Sequence, residues 1–442
     1  MAARGLGVVD ASLMVVGSIL GAGIFLVSGV VAASVHSPLG FFGVWIVGGF
    51  IALAGALCNG ELGALYPFGG GEYVYLREAY GPSLGFLSGW TSFWIGFPGS
   101  IATLAWGLGL TVAAIVGGHG ALPIAIASVV ALTVVNALGL EPAKWVQNVL
   151  SGAKLVVFVL LFVLAISLRH EGPSHFAPFV GRENARGLSL ALLPVFFAYS
   201  GWNVATYVAG EMRDPRKSLG RSLAIGTLAC VAIYLAVNVA YLRAISLEEM
   251  RGETNVAHAA VARFSETAAT AVLVPLVAVS ILSSMQATVL AGPRIYHAMA
   301  RDGVFFAALG RVSPRARVPA VATWVQGGIA CALLLSGTFD RLLTFTTFAI
   351  LVFSTLTVAA VFVLRVKRPV TTAARAFRTP GYPLVPALFI AANAWVAWNV
   401  VASGAREALI GLGIVAAGLP AYALFKLRAP RAGSPPSPAP RR

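Results

Sequence analysis

Stretches of about 20 predominantly apolar residues recur from end to end of this 442-residue chain. Each is long enough to cross the ~30 Å hydrocarbon core of a bilayer as a helix. Within hydrocarbon a backbone must satisfy its own hydrogen bonds, which leaves helices and closed barrels as the spanning structures. Barrel strands alternate polar and apolar residues, and these runs do not. The chain is therefore read as an all-α polytopic membrane protein. Composition agrees: 58% of residues are hydrophobic and 11% charged, against roughly 25% charged in soluble domains.

About twelve spans are expected, at 7–34, 39–65, 84–116, 121–139, 143–168, 187–210, 218–242, 270–299, 320–337, 341–364, 382–402 and 407–427. The net charge of +15 raises the question of a nucleic-acid partner, but its placement follows topology instead. With the N-terminus inside, 22 of the 31 Lys and Arg fall on cytoplasmic segments and 8 on exterior ones. The dense groups are Arg213/Arg216/Lys217/Arg221, Arg311/Arg315/Arg317 and Arg365/Lys367/Arg368/Arg375/Arg378, with more from Arg428 onward. That bias is the positive-inside rule, and it puts both termini in the cytoplasm. The first span is too long for a cleavable signal peptide and is expected to stay in the mature chain. Cys58, Cys230 and Cys331 fall inside spans, so no disulfide framework is expected. Arg outnumbers Lys 26 to 5, which fits a GC-rich bacterial genome and hence a bacterial inner membrane.

Two spans are interrupted at their middle. The first reads Gly17-Ser18-Ile19-Leu20-Gly21-Ala22-Gly23-Ile24-Phe25, and the sixth reads Phe197-Ala198-Tyr199-Ser200-Gly201-Trp202-Asn203. At about 28 residues and 1.5 Å per residue the first span is ~42 Å long, which suits two half-helices joined by an unwound stretch. A broken helix exposes amides and carbonyls that a ligand can take up. Paired breaks in the two halves of a chain point to a midplane substrate site in a secondary transporter. Small residues in the first break alone would also fit simple tight helix packing.

The breaks divide the chain into residues 7–168 and 187–364, five spans each, and an odd number of spans inverts the second set relative to the first. Two peripheral spans at 382–427 complete one transmembrane domain over 1–428, and the Pro/Ser/Arg-rich tail 429–442 is expected to be disordered. Residues 67–82 read as a short interfacial helix on the cytoplasmic side, bounded by glycines and Gly-Pro. The exterior segment 245–268 has helical spacing and is a candidate lid.

The strings GSILGAGIF, GGGEYVYLREAYGP, FAYSGWN followed by GEMRDPRKSLGRS, and GPRIYHAMARDGVF resemble those of amino acid–polyamine–organocation permeases, with the closest resemblance to the L-type amino-acid transporter branch. The resemblance covers roughly 7–428, with the strings in order. It implies the leucine-transporter-like fold: five plus five inverted-repeat helices, broken first and sixth helices, and two peripheral ones.

A zwitterionic amino acid needs an anion site and a cation site about one residue apart, and a broken helix supplies both. Amides at Gly21, Ala22 and Gly23 lie at a helix N-terminus and are expected to meet the carboxylate. Carbonyls at Ser18, Ile19 and Leu20, with those of Phe197, Ala198 and Ser200, are expected to accept from the ammonium. Gly201, Trp202 and Asn203 complete the second half of the cradle. By resemblance, Phe197 is the gate over bound substrate; Trp202 reads equally as a packing residue. Ala22 stands where many L-type members carry Ser, and Ser200 where many carry Gly. That pair suggests small or medium neutral substrates over bulky aromatic ones.

Lys154 sits inside an apolar run, and an ionisable residue in a span is costly and commonly functional. It either snorkels to the nearer interface or stays buried. In the resembled family the matching lysine occupies the place of a sodium ion, which implies that its ammonium bonds carbonyls near Gly21 and a hydroxyl at Ser283 or Ser284. A fixed cation there repels sodium, since two unit charges at ~4 Å cost several kcal/mol even at an effective dielectric near 20. Sodium-independent transport is expected, by exchange or alternatively by proton symport. Glu61, toward the cytoplasmic end of the second span, is a weaker signal; Glu211 with Arg213 and Asp214 is a candidate for cytoplasmic gate or capping contacts, and Asp10 for a cap on the first helix.

An enzyme would need clustered metal-ligating or nucleophilic side chains. The six histidines are scattered, and no phosphate-binding loop is present. No cofactor, metal, nucleic acid or covalent partner subunit is expected; a small amino acid and the lipid bilayer are.

Overall fold

Long apolar runs fold as helices because hydrocarbon leaves the backbone to satisfy its own hydrogen bonds, and local signals set several of the ends. Ser37 accepts from the Gly40 amide and Pro38 follows it, so Pro38–Leu65 starts sharply. Gly81, at φ 102°, ends the short helix Glu72–Tyr80, and Pro82 starts the next. The computed structural model describes residues 7–21, 23–67, 70–113, 119–167, 175–207, 209–268, 273–316, 318–367, 377–404 and 406–428.

The first crossing is α1 (Val8–Ile19), α2 (Gly23–Leu26) and α3 (Ser28–Ser34), and α4 (Pro38–Leu65) returns. The connecting helix α5 (Glu72–Tyr80) leads into α6 (Pro82–Thr91) and α7 (Phe97–Ala113), joined by a π-helical turn at Ser92–Gly96. Then come α8 (Ala121–Leu138), α9 (Leu140–Ser167), α10 (Ala185–Ala198) and α11 (Val204–Tyr207). The long α12 (Pro215–Ala244) is followed by three short helices, α13 (Leu247–Met250), α14 (Val256–Ala262) and α15 (Glu266–Ala268). The chain ends with α16 (Val274–Arg301), α17 (Ala320–Ser336), α18 (Phe339–Lys367), α19 (Leu384–Ala402) and α20 (Arg406–Arg428).

Among the described residues, nine helical stretches are long and apolar enough to cross a membrane, and α10 and α17 are shorter apolar helices. The architecture is that of a multi-pass membrane protein. Exposed Trp145, Trp324, Trp398 and Leu427 are ordinary for a bundle whose solvent on that face is lipid. The expected tail at 429–442 and Ala22 lie outside the described residues.

The two breaks fall close to the expected positions. α1 stops at Ile19 and helix resumes at Gly23. α10 runs through Phe197 and Ala198 before residues 199–203 turn and α11 begins. Pro194, inside α10, removes one backbone donor just ahead of that turn. The breaks touch each other. A side chain at Gly23 would overlap Ala198, and one at Gly201 would overlap Ser18. Gly201 also has φ 102°, a conformation that other residues rarely adopt.

At the end of the bundle where α4 leads into α5, ion pairs tie elements together. Glu61 accepts from two guanidinium nitrogens of Arg365, Nε and Nη2, at 2.8 and 2.7 Å, and from the Thr379 amide at 2.8 Å. The Tyr382 ring lies 3.6 Å below that guanidinium. Arg77 and Tyr73 of α5 both reach Asp302, each at 2.6 Å. At the other end, the 245–268 segment docks through Arg251, whose guanidinium donates to the carbonyls of Ala32 and Val35.

Candidate functional site

A cavity of about 140 Å³ opens at the paired breaks. A water's share of liquid volume is about 30 Å³, so the cavity has room for several. The first break contributes Ser18, Ile19, Gly21 and Gly23 to its wall. The second contributes Phe197, Ala198, Ser200, Gly201 and Asn203. Ser92 and Gly96 of the π-helical turn face the same space, and such turns recur at functional sites. A second cavity of about 60 Å³ adjoins the first, sharing Phe197, Ser200, Gly201 and Asn203 with it. Trp202 lines this second space, packed edge-on against Phe389 at 6.3 Å.

Backbone groups at the breaks are partly held by protein side chains. The Tyr234 hydroxyl, reaching in from α12, lies 2.6 Å from the Ile19 carbonyl and 2.9 Å from the Ala198 carbonyl. One buried side chain thus bridges both broken helices. The Phe197 carbonyl accepts from the Ser200 amide at 3.0 Å, inside the turn. Of the six carbonyls assigned to an ammonium from sequence, that of Phe197 accepts from the Ser200 amide, and those of Ile19 and Ala198 share the single Tyr234 hydroxyl proton. Leu20 is fully buried.

Lys154 is 1% exposed, deep in the bundle rather than at its surface. Its Nζ donates to the Gly17 carbonyl at 2.7 Å and to Ser284 Oγ at 2.9 Å. It joins α9 to α1 and to α16. The acceptor on the first span is Gly17, one turn before the expected Gly21. Gly21 instead packs so closely on Ser284 that a side chain there would overlap it. Ser283 is fully buried and pairs with Ser151 Oγ at 3.4 Å. Ser284 is part of the cavity wall, and Lys154 stands behind it.

Glu72 was not singled out from sequence, and the structure brings it into both cavity walls. Asn203 Nδ2 donates to its Oε1 at 2.9 Å and lies 3.2 Å from the Tyr207 hydroxyl. Burial pushes the Glu72 carboxyl up to about 7, against the opposing hydrogen bond from Asn203. The signal available in sequence was an acidic residue directly after Gly69-Gly70-Gly71, but nothing in that string aims it at a cavity. Among the described residues no group of three His, Cys, Asp or Glu is placed to hold a metal ion, and the three cysteines are free thiols.

Apolar helices long enough to cross a membrane, packed around a cavity set at two helix breaks, fit a membrane permease. The chain belongs to the amino acid permease family, whose model matches residues 6–414. It is similar to the serine/threonine exchanger SteT of Bacillus subtilis (strain 168), with 32% identity over 96% of this chain and 97% of that protein. It is similar to the b(0,+)-type amino acid transporter 1 of Mus musculus, with 30% identity over 82% of this chain and 76% of that one. The Asc-type amino acid transporter 1 of Mus musculus is also 30% identical, over 82% of this chain and 71% of that protein. These relatives are transporters and not enzymes, and the chain is an amino-acid permease of the amino acid–polyamine–organocation superfamily.

Proposed function

We propose that this permease exchanges small neutral L-amino acids across the membrane by alternating access, without sodium. The observation that carries the reading is Lys154, whose buried ammonium bridges the first span and α16 behind the cavity. A resident cation at that place supplies the charge that a bound sodium ion would otherwise bring, and it repels one that arrives. The carboxylate of the substrate sits at the amides of Gly21, Ala22 and Gly23. Its ammonium takes the carbonyls of Ser18 and Ser200, both of which line the cavity, whereas Leu20 is buried away from it. Phe197 closes over the occupied cavity.

The fold behind this is a five-plus-five inverted repeat of the leucine-transporter kind, residues 7–168 and 187–364, with α19 and α20 peripheral. Both termini are cytoplasmic, and the membrane is a bacterial inner membrane. The modest cavity and the likeness to a serine/threonine exchanger support small substrates. Competition for uptake is then stronger from alanine or serine than from tryptophan, and the reverse order removes the size preference.

Proteoliposomes loaded with or without internal amino acid, with and without a pH gradient, test exchange. Uptake confined to loaded vesicles supports it. Uptake into empty vesicles driven by an inward proton gradient favours symport instead.

A further inference from the structure

Among the described residues, one acid lines the transport cavity. Among the described residues that line it or the adjoining cavity, Glu72 is the only carboxylate, and no Lys, Arg or His lines either. Two cations of the surrounding elements are engaged elsewhere. Arg77, on the same helix, is held by Asp302 at 2.6 Å and Glu78 at 3.4 Å, and Lys154 by Gly17 and Ser284. The titratable groups that face Glu72 are hydroxyls: Tyr75 on α5 and Tyr207 on α11. Tyr296 of α16 stands beyond Tyr207. From α4 and α18 the cavity walls bring only uncharged residues such as Gly48, Ala52, Ile350 and Ser354.

A carboxylate so placed keeps its charge only while water in the cavity solvates it. We propose that Glu72 is a proton-binding site of the transport cavity, and that it takes up a proton when a neutral amino acid fills that cavity. The proposal rests on the reading of the cavity as an amino-acid site, and it adds a second, coupled ligand to that site. An uncharged side chain displaces the solvating water and brings no cation to the carboxylate, while the α-ammonium and α-carboxylate of the substrate remain on the backbone groups of the breaks.

The Asn203 bond and the N-terminus of α5 favour the ionised form; burial opposes both and prevails, leaving the group divided between its two forms near pH 7. A small further loss of solvation then moves a proton on. The sign follows from linkage: neutral substrates bind best below that pH, and affinity falls as the pH rises through it and the site loses its proton. If only the protonated form accepts substrate, apparent affinity at pH 8.5 is about 30-fold below its low-pH limit.

The test is calorimetric titration of L-serine into the full-length protein in detergent, at pH 5.5 to 8.5, in buffers of differing ionisation enthalpy. The wild type should take up about half a proton or more per serine bound at pH 7.5. Glu72→Gln, whose side-chain carbonyl still accepts from Asn203, should bind serine with no proton uptake and a flat pH profile. Proton release on binding, or no net proton exchange in the wild type, overturns the proposal and leaves the amino-acid site intact; the wild-type result does not depend on how well the variant folds. Proton uptake that persists unchanged in a well-folded Glu72→Gln assigns it to another group and also overturns it. No binding of serine, alanine or leucine at any pH removes the amino-acid site and the Glu72 proposal together.

Discussion

Replacing Lys154 with methionine keeps most of the side-chain volume and removes the ammonium. Two bonds go with it, to the Gly17 carbonyl and to Ser284 Oγ, at 2.7 and 2.9 Å. Hydrogen bonds to charged groups contribute about 1.5–3 kcal/mol each, so about 3 kcal/mol is a conservative total for the link between α9, α1 and α16. Much of that is offset in overall stability, because burying the ammonium itself costs several kcal/mol. The link weighs on the balance between transport states if it is made in one arrangement and broken in another with the ammonium still buried. A bias of about 3 kcal/mol shifts such a balance on the order of 100-fold. L-Serine exchange into serine-loaded proteoliposomes, normalised to incorporated protein, is expected to fall by on the order of 100-fold in Lys154→Met, with a monodisperse and folded variant. Ser284→Ala removes one of the two bonds and should cost about 10-fold. The double variant should be no worse than Lys154→Met alone, because both act through one network. Exchange by Lys154→Met within about threefold of wild type would refute the reasoning.

Two further outcomes follow from side chains that hold the bundle together. Tyr234→Phe deletes the hydroxyl shared by the Ile19 and Ala198 carbonyls. It should lower stability by about 2 kcal/mol, read as a lower midpoint in thermal unfolding followed by size-exclusion chromatography; an unchanged midpoint contradicts the bridge. Glu61→Gln leaves the Arg365 guanidinium without its carboxylate partner at a site where Glu61 is 1% exposed. It should destabilise by about 3–5 kcal/mol, with Glu61→Gln/Arg365→Met recovering part of that loss; equal thermal midpoints for all three proteins would exclude the effect.

Much of the helix pattern is legible in sequence because bilayer thickness imposes a length and glycine, proline and serine mark the ends. The expected span at 39–65 is Pro38–Leu65 in the structure, and that at 121–139 is Ala121–Leu138. The breaks are legible for a related reason: Gly23 lies against the Ala198 backbone, Gly21 against the Ser284 side chain and Gly201 against the Ser18 side chain, and a larger residue would overlap at each. What escapes is whatever depends on how distant helices face one another. Tyr234 looks like any aromatic residue of an apolar span until α12 is laid against both breaks. Glu72 reads as a solvated charge on an interfacial helix until α5 folds under Asn203. Lys154 stands out by its cost alone, but sequence did not fix whether its partner on the first span is Gly17 or a residue one turn later.

The central claim is that a lysine ammonium stands where a sodium ion would otherwise be needed. Initial rates of L-serine uptake into serine-loaded proteoliposomes, measured with external sodium chloride and again with choline chloride at equal ionic strength, test it most directly. The account predicts the same rate in both. Uptake that vanishes in choline chloride and returns with sodium in a saturable way would contradict it.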